Sequence, residues 1–213
     1  EIIRSWLAIQ GLQIIIVDPK KEYGHLIRRL DGTVHTVDAD TDVDNLSFND
    51  WLIGFQVSER GQEENADVLA DTVQKIYSAT SQHSEKTLVV VDEARILLND
   101  DRGLRVLNDF VLEARDKNTA VTLVTQNASH FTHTRQGREI LDNMPGKVFM
   151  RHERVPDSVV DYFDLSREEK QQLLQLKTGD ESPYSEAVVK VSSRLDSKLR
   201  VQSTRSEHAV ISQ

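Results

Sequence analysis

The chain has no cysteine, which removes disulfides, thiolate metal ligands and cysteine nucleophiles together. It also lacks a long apolar run. Its longest aliphatic stretches, Ile14 to Val17 and Leu88 to Val91, fall far short of the ~18–20 residues a bilayer crossing needs. No basic n-region with a cleavage site opens the chain, so no signal peptide is expected, and a first residue of Glu1 reads as a piece of something longer. Positive charge is in deficit: 26 Lys and Arg stand against 35 Asp and Glu, for a net charge of −9. That balance argues against a broad basic surface gripping nucleic acid.

What is present is a globular balance, 38% hydrophobic and 29% charged over 213 residues, enough for one α/β domain with a full core. Residues Ile2 to Ile9 carry apolar residues at helical spacing, with Gly11 at a C-cap position. Leu12 to Val17 is a continuous aliphatic run ended by Asp18-Pro19, the pattern of a strand buried on both faces. A short helix is expected over Glu22 to Leu30, and a strand over Thr33 to Val37. The stretch Asp38 to Gly61 has no clear period and reads as a surface connection.

From Gln62 to Tyr77 the apolar residues keep one helical face. Thr87 to Val91 and Ala120 to Thr125 are further buried strands around a helix over Gly103 to Ala114. Buried strands alternating with amphipathic helices imply a mostly parallel sheet covered on both sides. A helix near Arg135 to Asn143 and a strand at Lys147 to Met150 follow. Ser166 with Glu169 forms a capping box, and Glu186 to Val191 with Lys198 to Gln202 alternates like an edge hairpin.

Chemistry concentrates at strand ends. The run Leu88 to Val91 delivers two adjacent carboxylates, Asp92 and Glu93. In a phosphate-transferring hydrolase the first acid of such a pair stands near Mg²⁺ and the second polarises the attacking water. The next strand ends in Gln126, able to hydrogen-bond a γ-phosphate or that water, and the first buried strand ends in Asp18. Three such ends would line one edge of one sheet, where open parallel sheets bind ligands. The phosphate cradle G-x-x-x-x-G-K-[ST] is absent. Gly146-Lys147 does not supply it, because Leu141 stands at the first glycine position and Val148 at the Ser or Thr position. Since the first helix feeds a buried strand, as the helix behind a phosphate loop would, the cradle is expected just upstream.

Other constellations carry less. Asp38, Asp40, Asp42 and Asp44 alternate like a calcium loop, but Val43 and Asn49 occupy the glycine and glutamate positions, so a solvated acidic turn is expected. His130 and His133 have no third ligand nearby in sequence.

Residues Ile16 to Tyr23, reading Ile-Val-Asp-Pro-Lys-Lys-Glu-Tyr, resemble the Ile-Asp-Pro-x-x-Glu-Tyr motif of the conjugation and type IV secretion ATPases of the TraC type, relatives of the HerA and FtsK translocases. In the family's order, Val91 to Ala94 resembles Walker B, Glu113 to Lys117 an arginine-bearing helix, and Val124 to Gln126 the sensor strand. Val148 to Arg151, Phe163 to Ser166 with Glu168 and Glu169, and Leu176 to Gly179 resemble the family's C-terminal run. Asp116 interrupts the usual Arg-Lys pair, and the Asn-Pro step expected after the second strand has no proline at Leu46 to Asn49.

The resemblance implies a RecA-like, mostly parallel sheet flanked by helices with a small C-terminal helix and β-hairpin extension. The core would run over 1–152, with 153–213 as an extension of the same domain. It implies ATP and Mg²⁺ as cofactors, Asp92 as the Mg²⁺ residue, Glu93 as water activator, Gln126 as γ-phosphate sensor, Asp18 beside the site, and Arg115 as the finger reaching a neighbour's nucleotide, with Lys117 second. The parent would be an ATP hydrolase powering type IV secretion or conjugative transfer, and this stretch alone would be inactive without its cradle. Its partners would be further copies in a ring, commonly a hexamer, other secretion components and DNA as a candidate cargo. It would be cytoplasmic, held at the inner face of the membrane through partners. Two other readings stand beside this one: a HerA- or FtsK-like DNA translocase, and a nucleotide-free docking module.

Overall fold

The computed structural model describes residues 5, 8–58, 62–82, 85–191 and 194–211. Most of the helix expected at Ile2 to Ile9 lies outside them. Gly11 takes φ +72°, the left-handed cap conformation its position predicts. The chain divides after Gln126 into two compact units.

The first unit is built on five parallel strands: β1 (Leu12–Val17), β2 (Thr33–Val37), β3 (Leu52–Val57), β4 (Lys86–Val91) and β5 (Thr119–Leu123), in the order β2-β3-β1-β4-β5. All six residues of β1 are buried, as its unbroken aliphatic run requires, and Pro19 ends it. The crossover helices are α1 (Gly24–Arg29), α2 (Gln62–Gln82), α3 (Arg95–Leu98) and α4 (Asp101–Glu113). Asp100 caps α4 by accepting from the Gly103 N–H at 2.6 Å, and Tyr77 of α2 meets Phe110 of α4 edge-on at 5.5 Å.

One expectation is corrected. The stretch Asp38 to Gly61 is not a surface connection throughout, because it holds β3, fully buried between β2 and β1. Gly54 and Gln56 broke the apolar pattern, and both are there for contacts from other elements. A Cβ at Gly54 would lie 2.5 Å from Cδ1 of Ile27 on α1. Gln56 turns its amide to Asp18 at the end of β1.

The second unit begins with α5 (Ser129–Thr132) and α6 (Arg135–Asn143) and includes an antiparallel sheet, β6-β7-β8, made by β6 (Gly146–Phe149), β7 (Ser185–Val191) and β8 (Arg194–Val201). Between β6 and β7 run α7 (Asp157–Phe163) and α8 (Arg167–Leu174), and α9 (Arg205–Ile211) follows β8. Phe149 packs edge-on against Phe163 at 5.0 Å. The capping box is present: Ser166 Oγ accepts from the Glu169 N–H, and the Glu169 carboxylate accepts from the Ser166 N–H. Among the described residues no helix is long and apolar enough to cross a membrane.

Candidate phosphate-chemistry site

The register of the parallel sheet sets the site. Val17 pairs with Val91, and Val91 with Leu123, so β1, β4 and β5 end level. The ladder continues past the strands: the Asp92 N–H donates to Val17 O at 2.9 Å, and the Ala94 N–H donates to Val124 O at 2.9 Å. Sheet hydrogen bonds therefore fix the backbone that carries the carboxylates.

Asp18 is fully buried and its carboxylate is engaged at both oxygens. It accepts from the Glu22 N–H (2.9 Å), the Tyr23 N–H (2.9 Å) and Gln56 Nε2 (2.8 Å). Asp18 thus ties the turn between β1 and α1 to β3. Gly24 makes room for this, since a Cβ there would stand 2.6 Å from Gln56 Nε2.

Asp92 is buried with a single described donor, the Glu93 N–H at 2.9 Å to Oδ1. Burial pushes its carboxyl up; the Glu93 N–H opposes this, and the charges of Glu93, Glu22 and Asp18 add to it. A partly desolvated carboxylate among other acids is stabilised by an added cation, so the donor fits a metal ion. Among the described residues no three His, Asp or Glu side chains converge into a metal cage. One carboxylate with waters and phosphate oxygens is the set Mg²⁺ ordinarily takes.

Glu93 adopts φ +48°, left-handed backbone that costs a side-chain-bearing residue on the order of 1–2 kcal/mol. The twist aims its carboxylate across the rim. Oε1 accepts from Gln126 Nε2 at 2.7 Å and from Lys20 Nζ, and Oε2 accepts from Arg95 Nε at 3.0 Å. Burial pushes Glu93 up, but the hydrogen bonds from Lys20 and Arg95, the Lys20 charge and Gln126 outweigh it and hold the carboxyl below its ordinary value. Tyr23 stands by the same rim; burial, then the charges of Asp92, Asp18 and Glu22, push its hydroxyl up to about 12.

Asp18, Asp92, Glu93 and Gln126 thus meet at one end of the sheet. Arg115 does not. It is exposed on the 3₁₀ turn Ala114–Lys117 that leads into β5, at the opposite end of the strands. Five residues of β5 put roughly 17 Å between the two ends. Lys117 is held by Glu113 at 2.8 Å and lies over the Tyr77 ring at 3.9 Å. Asp38 and Asp42 accept from groups of their own loop, and Asp44 pairs with Lys75 at 2.6 Å.

Sequence reasoning missed Lys20 and Arg95. Lys20 lies two residues past Asp18 in the same turn, a usable signal once that turn is placed against β4. Arg95 lies two residues past Glu93, where a helix start would be read as surface.

No curated protein matches this sequence. Among solved structures, VirB4 of Thermoanaerobacter pseudethanolicus is similar over 97% of this chain and 85% of that one, with a TM-score of 0.75 at 14% identity. At that identity the likeness shows the fold, a RecA-like α/β sheet. A family model described as an AAA-like domain matches residues 67–181, more than half of the chain and the stretch that carries Asp92, Glu93, Arg115 and Gln126. By that match, the chain belongs to the AAA-like domain family.

Proposed function

We propose that this rim is the hydrolytic site of an ATP-driven motor of the type IV secretion or conjugation kind. The observation that carries the reading is the level ending of β4 and β5, which joins Glu93 to Gln126 at 2.7 Å beside the Asp92 carboxylate, whose one donor among the described residues is the Glu93 N–H. Membership of the AAA-like family and the VirB4-like fold support it.

In this reading Asp92 holds Mg²⁺, whose charge, when bound, neutralises charge developing on phosphate oxygens. Glu93 orients and polarises the attacking water, a contribution of about 10²–10⁴-fold for a positioned base. Gln126 hydrogen-bonds the γ-phosphate or that water and aligns Glu93 through its amide. Asp18 acts as a positioning residue, holding the turn of β1 against the rim. Arg115 sits too far from this rim to serve it, and its exposed guanidinium suits a neighbouring subunit's nucleotide in a ring. Lys117, already paired, is the weaker candidate. The ring would work at the cytoplasmic face of the membrane, held there by other secretion components.

The test is calorimetric titration of Mg·ATP into this chain and into one extended upstream by ~30 residues, the scale of a strand, loop and helix unit. The extended chain is expected to bind and turn over ATP. Binding by neither would overturn the proposal in favour of a docking role.

A further inference from the structure

Glu93 carries a contradiction that Lys20 resolves. A carboxylate offers about four lone-pair sites, and three of those on Glu93 are taken by Lys20, Gln126 and Arg95. Its side chain is only 5% exposed. Pinned by two cations and an amide, it has little open face for a water. At least one cation must leave before it can act.

The two cations differ in how free they are. Arg95 begins α3 two residues from Glu93, so its contact is local and moves with it. Lys20 arrives from another element, the turn after β1, whose backbone is fixed by the Glu22 and Tyr23 N–H groups donating to Asp18. Both side chains are 38% exposed, so the difference lies in the tether and not in exposure. An ammonium on a four-carbon stem is a mobile, hydrated point charge, and swinging it leaves the turn intact. The Lys20 ammonium also lies at the strand-end rim, where a polyphosphate would arrive.

We propose that Lys20 is an anion-operated latch: its ammonium rests on Glu93 and transfers to a phosphate of an arriving nucleotide, releasing Glu93 to orient water. This deepens the ATP reading and rests on it. Lys20 is a positioning residue that acts through Glu93. The arrangement would keep the acid idle until a polyphosphate is seated.

The test uses inorganic tripolyphosphate as probe and nuclear magnetic resonance of the Lys20 ¹⁵Nζ and Glu93 ¹³Cδ as readout, in the chain extended upstream by ~30 residues, the scale of a strand, loop and helix unit. Tripolyphosphate is expected to move both signals together. In Lys20→Met the Glu93 signal should start displaced and stay put, and Lys20→Arg should restore the coupled response. Glu93→Gln is expected to tighten tripolyphosphate several-fold in the wild-type background and to give no gain in Lys20→Met. A merely structural ion pair would move stability but not this coupling.

Tripolyphosphate binding with an unmoved Glu93 signal, a Glu93→Gln gain that persists in Lys20→Met, or no Lys20-dependent binding would each overturn the latch. Transfer of Lys20 without nucleotide turnover in any extended chain would leave the latch and remove the ATP reading. Turnover with Lys20 still on Glu93 would do the reverse.

Discussion

Glu93 and Glu186 are both buried glutamates gripped by a lysine, yet they are held in opposite ways. Glu186 lies within β7 of the second unit, and its Oε2 accepts from Lys198 Nζ at 2.8 Å and from the Lys177 backbone N–H at 3.0 Å. Its own N–H donates to Lys177 O at 2.8 Å. Glu93 stands just past a strand, in left-handed backbone, and the side chains of Lys20, Gln126 and Arg95 hold its carboxylate. A backbone N–H cannot leave without unfolding something, whereas a side chain can. The same pairing chemistry therefore builds a fixed joint at Glu186 and a releasable one at Glu93.

The largest expected effect separates the two sites by activity. In a chain extended upstream, Asp92→Ala should lower ATP turnover on the order of 10²–10³-fold, as the loss of one preorganised electrostatic group does. Glu186→Gln should leave turnover nearly unchanged. A coupled-enzyme ATPase assay reads both, and comparable losses would erase the distinction.

Next comes the scaffold on which the releasable joint depends. Asp18→Asn keeps one acceptor and loses a charge-assisted set, and should cost on the order of 1–3 kcal/mol of stability in urea unfolding. A neutral result would mean that the Lys20 turn is held by something other than Asp18.

Stability should then reverse the ranking of the two glutamates. Glu186→Gln is expected to lower the thermal midpoint by about 2–4 °C. Glu93→Gln should change it less, because its partners Lys20, Gln126 and Arg95 are all side chains that can turn to water, whereas the Lys177 backbone N–H on Glu186 cannot. The acid limb follows from the same joint. The Lys198 hydrogen bond, then the Lys177 N–H, holds Glu186 below its ordinary 4.5. A depressed folded-state value gives stability that is present above 4.5 and lost as pH falls through the lower one. The wild-type midpoint should therefore fall more steeply below pH 4.5 than that of Glu186→Gln. Parallel curves would show that the pairing adds nothing.

The smallest effect is optical. Two tyrosines report on the two neighbourhoods: Tyr23 is raised to about 12 by burial and then by Asp92, while Tyr184 is lowered by its hydrogen bond with Lys177. Absorbance titration near 295 nm should show Tyr184 ionising early and Tyr23 late. Asp92→Asn should bring Tyr23 down, and an unmoved Tyr23 would mean that the Asp92 charge does not reach it.

What could be read from the sequence followed from how local each signal was. Strands β1 and β4 announce themselves as aliphatic runs, whereas β5, expected to be buried, is an edge strand with only Thr119 buried; the polar ends, Asp18, Asp92, Glu93 and Gln126, could be picked out before their alignment was known. The Ser166–Glu169 box is equally local. Strand β3 was hidden because its pattern was interrupted by Gly54, which yields space to Ile27, and by Gln56, which serves Asp18. Missing β3 also hid the structural duty of Asp18, since one of its three donors comes from that strand. Lys20 and Arg95 were illegible for a different reason. Their meaning depends on the left-handed turn that swings Glu93 toward them, and no spacing rule marks a glutamate for φ +48°.

The most direct measurement is the Glu93→Gln variant of a chain extended upstream, followed for both Mg·ATP affinity and steady-state turnover. Glu93 as the residue that polarises the attacking water predicts turnover reduced about 10²–10⁴-fold with affinity retained or tightened. Normal turnover in that variant would contradict the assignment.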